Sequence, residues 1–82
     1  MMEYYVYILL CQDGRYYTGY SQDVKNRLKQ HMIGKGSRYT RMNKPERIVY
    51  MKKFETRSAA MKQEKKIKRL SHKEKTELIS RL

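Results

Sequence analysis

Residues 4–20 read Tyr4-Tyr5-Val6-Tyr7-Ile8-Leu9-Leu10-Cys11-Gln12-Asp13-Gly14-Arg15-Tyr16-Tyr17-Thr18-Gly19-Tyr20, and the fold turns on them. From Tyr4 to Cys11 the chain is β-branched, aromatic and aliphatic without a polar break. That is the pattern of a strand buried on both faces. Gln12-Asp13-Gly14-Arg15 is a turn signal, and Tyr16 to Tyr20 reads as the returning strand. The length of the turn sets which side chains meet. A two-residue loop at Asp13-Gly14 puts Tyr17 on the face of Ile8 and Leu10. A three-residue loop, Gln12-Asp13-Gly14, pairs Cys11 with Arg15 and turns Tyr7 and Tyr17 to one face. Gly14 then takes the left-handed bulge position that such loops favour. The three-residue loop is the expectation.

Working outward, Ser21 or Asp23 can cap a first helix that runs to about Ile33, with Val24, Leu28 and Met32 as its apolar stripe and Gly34 as its stop. Residues 34–46 are loop-like and basic. Arg47 to Phe54 reads as a third strand. Thr56 can cap a second helix from about Arg57 to Arg69. Ser71-His72-Lys73-Glu74 has the form of a capping box for a third, with Leu78, Ile79 and Leu82 on one face. The order is strand, strand, helix, strand, helix, helix. This predicts a small α/β or α+β layer domain with an antiparallel hairpin, spanning residues 1–82 as one unit.

Composition narrows the function. Twenty Lys and Arg stand against eight Asp and Glu, a formal net charge of +12 among 82 residues. Such an imbalance repels itself, and a polyanionic partner is the usual reason for it. Cys11 is the one cysteine, so neither an internal disulfide nor a cysteine-built zinc site can form. The longest apolar run is too short to cross a bilayer, and the first residues lack the pattern of a signal peptide. The expectation is a cytoplasmic protein with no membrane contact and no small-molecule cofactor. Phosphate-loop, dinucleotide and serine-nucleophile motifs are absent.

Three features resist a purely structural explanation. Arg27 and His31 lie four apart, so they leave one face of the first helix. Arg is a permanent forked donor for phosphate, and His moves protons near neutral pH. The plainer reading is a solvated pair. Glu64 falls on the inward spacing of Ala60, Glu64 and Ile67, in a helix whose other charges from Lys62 to Arg69 are positive. It binds a metal ion, neutralises a buried Arg, or reaches water at the edge of the stripe. Tyr7 and Tyr17 fill core, but their hydroxyls still need partners.

Tyr5-Val6-Tyr7, Tyr17-Thr18-Gly19, Arg27 with His31, and Glu64 together resemble the ordered motifs of the GIY-YIG nuclease family. The wider framing resembles its short bacterial members. The resemblance implies a three-stranded antiparallel sheet flanked by helices and metal-dependent hydrolysis of a phosphodiester. By that likeness Tyr7 is the general base or positions the attacking water, and Tyr17 assists it or orients the phosphate. Arg27 holds the phosphate, and His31 moves a proton or orients Tyr7. Glu64 binds one Mg²⁺ or Mn²⁺. A tyrosine base needs nearby positive charge to work near pH 7, because its ordinary pKa is about 10. The nucleic-acid surface falls on Lys35, Arg38, Tyr39 and Arg41 in the loop, with Lys62, Lys65, Lys66 and Arg69 on the second helix. The expected enzyme is a monomer that cuts DNA rather than RNA, directed by structure, in repair or recombination. The alternative is a non-catalytic nucleic-acid-binding module of the same fold. Many members carry an Asn after the metal-binding Glu, and none follows Glu64 here.

Overall fold

The computed structural model describes residues 3–34 and 42–81. Its hairpin has the three-residue loop. Cys11 N–H donates to the Arg15 carbonyl at 2.8 Å, and Gly14 N–H donates to the Cys11 carbonyl at 2.9 Å. Gly14 has φ of 85°, the left-handed region that a side chain disfavours. β1 (Tyr4–Cys11) and β2 (Tyr16–Ser21) are therefore antiparallel, with Tyr7 opposite Gly19 and Leu9 opposite Tyr17. Because side chains alternate along a strand, Tyr7, Leu9, Tyr17 and Gly19 share one face.

β3 (Pro45–Phe54) pairs with the other edge of β1, giving sheet order β2-β1-β3. It begins two residues earlier than the Arg47 start expected. Pro45 has no N–H to donate, which an edge strand tolerates at its first residue, and Gln12 N–H extends the pairing to the Lys44 carbonyl at 2.9 Å. Register shifts fall between Ile8 and Leu9 and between Leu10 and Cys11. They leave Val49 and Glu46 without partners, so each is the extra residue of a bulge. The Val49 bulge lets Ile48 pack with Leu9 on one face while Val49 and Tyr50 pack on the other.

The central strand is buried on both sides, as its sequence requires: Val6, Tyr7, Ile8 and Leu9 are all nearly inaccessible. α2 (Arg57–Lys68) and α3 (His72–Ser80) cover one face, where Ala60, Ile67, Leu78 and Ile79 meet Val6, Ile8 and Tyr50. α1 (Val24–Met32) covers the other, where Val24 and Leu28 meet Tyr7 and Leu9. Asp23, not Ser21, caps α1 by accepting from Asn26 N–H. Thr56 caps α2, and Ser71 with Glu74 forms both halves of the capping box on α3. α1 stops at Met32, one residue short of the expected end, with Gly34 at φ of 79° just beyond. Leu82 lies outside the described residues.

The inward stripe of α1 departs from expectation. Met32 is 42% exposed, whereas His31 is 1% exposed. Val24, Leu28 and His31 follow i, i+4, i+7, which centres the buried stripe on the histidine and pushes Met32 to its margin. α3 is tied to the hairpin as well. His72 stacks on Tyr16 with ring centroids 4.5 Å apart, and its Nε2 lies 2.9 Å from the Gly14 carbonyl oxygen.

Candidate active site

On the α1 face, buried Tyr7 and His31 form one aromatic cluster with half-buried Tyr17. The Tyr7 and Tyr17 rings are 6.5 Å apart, and Tyr17 and His31 are 5.1 Å apart. The Tyr7 hydroxyl is 3.1 Å from His31 Nε2, a buried hydrogen bond whose direction follows the imidazole tautomer. The Tyr7 ring leans across β2 over Gly19. A Cβ on Gly19 would lie 2.6 Å from the Tyr7 hydroxyl and 2.8 Å from the ring carbon that carries it. Glycine is thus a requirement of the tyrosine's path. The signal was present in the sequence, since a glycine inside a strand marks a close approach.

Arg27 and Glu64 both act on that hydroxyl. Burial, with the neighbouring Tyr17 and Glu64, pushes the Tyr7 phenol up to about 12 against the downward pull of Arg27. The positive charge that a tyrosine base requires is therefore present, but burial outweighs it. Burial, and then the Arg27 charge, hold the His31 imidazole below its ordinary 6.5, so it is neutral at pH 7. Arg27 Nη1 donates to Gln30 Oε1 at 3.0 Å, an i, i+3 contact that steadies the guanidinium. Sequence reading missed Gln30, although its spacing from Arg27 was legible.

Glu64 comes from the helix on the opposite face. Gln63 donates to the Tyr50 hydroxyl of β3, and Arg57 donates to the Tyr20 hydroxyl of β2. Arg57 and Glu64 are seven residues apart and so share a flank, which places Glu64 on the side of α2 facing β2. Its side chain is 15% exposed, and Oε2 lies 3.7 Å from Lys68 Nζ. That flank position leaves the carboxylate open to water and to a bound ion alike. A hard carboxylate of this kind fits a magnesium-like ion, which takes one or two carboxylates and completes its shell with water and substrate phosphate. Among the described residues no group of three or more His, Cys, Asp or Glu forms a ready-made cage.

The basic residues divide. Lys62, Lys65 and Lys66 of α2 and its C-cap residue Arg69 follow i, i+3, i+4, i+7 and are exposed, opposite the buried Ala60 and Ile67. Lys35, Arg38, Tyr39 and Arg41 lie outside the described residues. No described helix is long and apolar enough to cross a membrane.

Residues 3–77 match the family model of the GIY-YIG catalytic domain. The chain belongs to the GIY-YIG family. Such domains are of nuclease type, act on nucleic acid and generally use a divalent metal. Short bacterial GIY-YIG relatives span nearly the same length. The UPF0213 protein SSP2268 of Staphylococcus saprophyticus is 42% identical over 80 residues, 98% of this chain and 98% of that protein. The solution NMR structure of the UPF0213 protein BH0048 from Bacillus halodurans has a TM-score of 0.63 at 47% identity, covering 96% of this chain and 84% of that one. The solution NMR structure of the protein EF2693 from E. faecalis has a TM-score of 0.67 at 39% identity, covering 98% and 85%. The three-stranded antiparallel GIY-YIG sheet, with three helices named among the described residues, agrees with these structures.

The buried imidazole predicts a pH dependence of stability. The unfolded chain takes up a proton near pH 6.5, where folded His31 resists it, so stability falls as pH drops below about 6.5. Tyr7 acts at the other end: its contribution is full below pH 10 and is lost as pH rises from 10 towards about 12. Denaturant titrations across the acid window should give a clear slope for wild type and a flatter one for His31→Gln. Equal slopes would mean that His31 ionises as freely folded as unfolded.

Proposed function

We propose that this chain is a divalent-metal-dependent endonuclease that hydrolyses phosphodiester bonds in DNA. It acts as a single domain on structured substrates rather than on a base sequence. The observation that supports this reading is the clustering of Tyr7, Tyr17 and His31, with the charges of Arg27 and Glu64 bearing on the Tyr7 hydroxyl, so that four separate elements contribute. Arg27 binds the scissile phosphate and offsets charge growing on its oxygens. Tyr17 packs beside Tyr7 and confines the phosphate to the mouth of the cluster. Tyr7 positions the attacking water, whose proton passes to the Tyr7 oxygen as the phenol proton passes to His31 Nε2. The water oxygen bonds to phosphorus, the bridging P–O bond breaks, and the leaving oxygen takes a proton from solvent. A relay suits these groups because the phenol holds its proton tightly and the imidazole is neutral. The Glu64 carboxylate would hold Mg²⁺ or Mn²⁺, which when bound would offset charge on the phosphate oxygens. The basic face of α2 holds the nucleic-acid backbone, with affinity that falls steeply as salt rises.

The raised Tyr7 pKa, together with the lack of an Asn after Glu64, favours one second reading, a nucleic-acid-binding module that keeps the fold. Branched, single-stranded and duplex DNA, each incubated with Mg²⁺ or Mn²⁺, separate the two. Wild type should cut at least one substrate, Tyr7→Phe and Arg27→Ala should cut it about 10²-fold more slowly, and EDTA should stop cutting but not binding. Binding to every substrate with no cutting, RNA included, would establish the second reading instead.

A further inference from the structure

Two hollows beside α2 share one wall. The smaller, of 270 Å³, is lined by Tyr4, Tyr20, Gln22 and Arg57. The larger, of 550 Å³, is lined by Arg57, Ser58, Met61, Lys62 and Lys65. Among the described residues no carboxylate lines either one. Arg57 Nε donates to the Tyr20 hydroxyl at 3.3 Å, which fixes the guanidinium through a neutral acceptor. Among the described residues none of Arg57, Lys62 and Lys65 makes an ion pair. A forked cation held at one end, beside two lysines of the same helix with no carboxylate in the shared lining, is arranged for an oxyanion.

Its position says which oxyanion. Arg57 and Glu64 share the flank of α2 that faces β2, and seven residues of helix separate them by roughly 10 Å. A stacked nucleic-acid strand advances about 3.4 Å per nucleotide along its axis, and its phosphates, displaced around that axis as well, lie farther apart than this, so the interval is at most about three steps. We propose that Arg57, with Lys62 and Lys65, forms a second phosphate subsite. It grips the cleaved strand within about three nucleotides of the bond that breaks, and so fixes where along the strand the cut falls. The Tyr20 hydroxyl is the positioning group for the guanidinium. This subsite rests on the nucleic-acid reading above, to which it adds a minimum substrate length.

The test uses the full chain and Arg57→Gln, with Lys73→Gln on α3 as a control that removes the same charge elsewhere; thermal melts confirm that each is folded. Binding of a DNA duplex is titrated in EDTA at several salt concentrations. Arg57→Gln should flatten the log–log salt slope by about 0.9, equivalent to about eightfold weaker binding at 0.1 M salt relative to 1 M. Lys73→Gln should leave the slope near that of wild type. Equal changes in the two variants would overturn the subsite. Cut positions are then mapped. Arg57→Gln should spread cuts over neighbouring bonds, and its penalty should vanish on strands shortened, from one end or the other, to the nucleotide beside the cut. Uniform slowing at unchanged positions, whatever the strand length, would overturn the role in setting the cut. If wild type cuts nothing, the nuclease reading fails by itself, and the salt titration still decides whether Arg57 holds a phosphate.

Discussion

Glu64→Gln is expected to slow Mg²⁺-dependent cleavage about 10³-fold, a loss of about 4 kcal/mol of transition-state stabilisation. The substitution keeps the shape of the side chain but removes the charge that a hard cation needs. Glu64 is half-buried on the flank of α2, and Lys68 Nζ at 3.7 Å is the one cation paired with it among the described residues. Its removal leaves the core cluster of Ala60 and Ile67 untouched, so folding should be preserved. DNA binding in EDTA should hold or tighten, because an anion has left a surface that meets phosphate. This split between lost cleavage and retained binding is the diagnostic result. Cleavage within tenfold of wild type would remove Glu64 from the metal site.

The second large effect is expected at Gly19. In Gly19→Ala the new methyl would come within 2.6 Å of the Tyr7 hydroxyl. Tyr7 is 2% exposed and bonded to His31, so it has nowhere to yield without losing that bond. Overpacking of this kind destabilises by about 1–3 kcal/mol. For a domain of this size each kcal/mol lowers the melting temperature by roughly 4–8 °C. Whatever fraction folds should cleave about 10²-fold more slowly, since a shift of about 1 Å in a reacting group suffices for that. Adding Tyr7→Phe should restore part of the stability and none of the cleavage, because the ring carbon remains 2.8 Å from the methyl position after the oxygen has gone. A Gly19→Ala protein that melts and cuts like wild type would show that Tyr7 does not cross β2 there.

The parts of this fold that were legible in the sequence share a cause: local chemistry fixed them. Asp13-Gly14 sets the loop because residue 14 needs positive φ, and the loop sets the faces of Tyr7 and Tyr17. The capping box at Ser71 and Glu74 is likewise a contact within four residues. What escaped was decided by partners distant in sequence. Nothing in Pro45-Glu46-Arg47-Ile48-Val49-Tyr50 announces two extra residues, because bulges are defined only against β1. His31 was legible as a member of a helix face but not as buried, since the apolar Met32 beside it competes for the same stripe. Glu64 was legible as inward-leaning, whereas the strand it faces depends on how α2 is rotated over the sheet. Arg57 read only as the start of a helix, and its bond to Tyr20 crosses 37 positions.

The hairpin loop carries a consequence for how such proteins can vary. Side chains alternate along a strand, so inserting or deleting one residue between Cys11 and Arg15 would invert every side chain of β2 relative to β1. Tyr17 would exchange places with Tyr16 or Thr18, and Gly19 would no longer pass beneath Tyr7. Length changes that keep the tyrosines together must come in pairs, or be cancelled by a bulge elsewhere in β2. The loop is a parity constraint: among working relatives, hairpins at this position should differ by even numbers of residues.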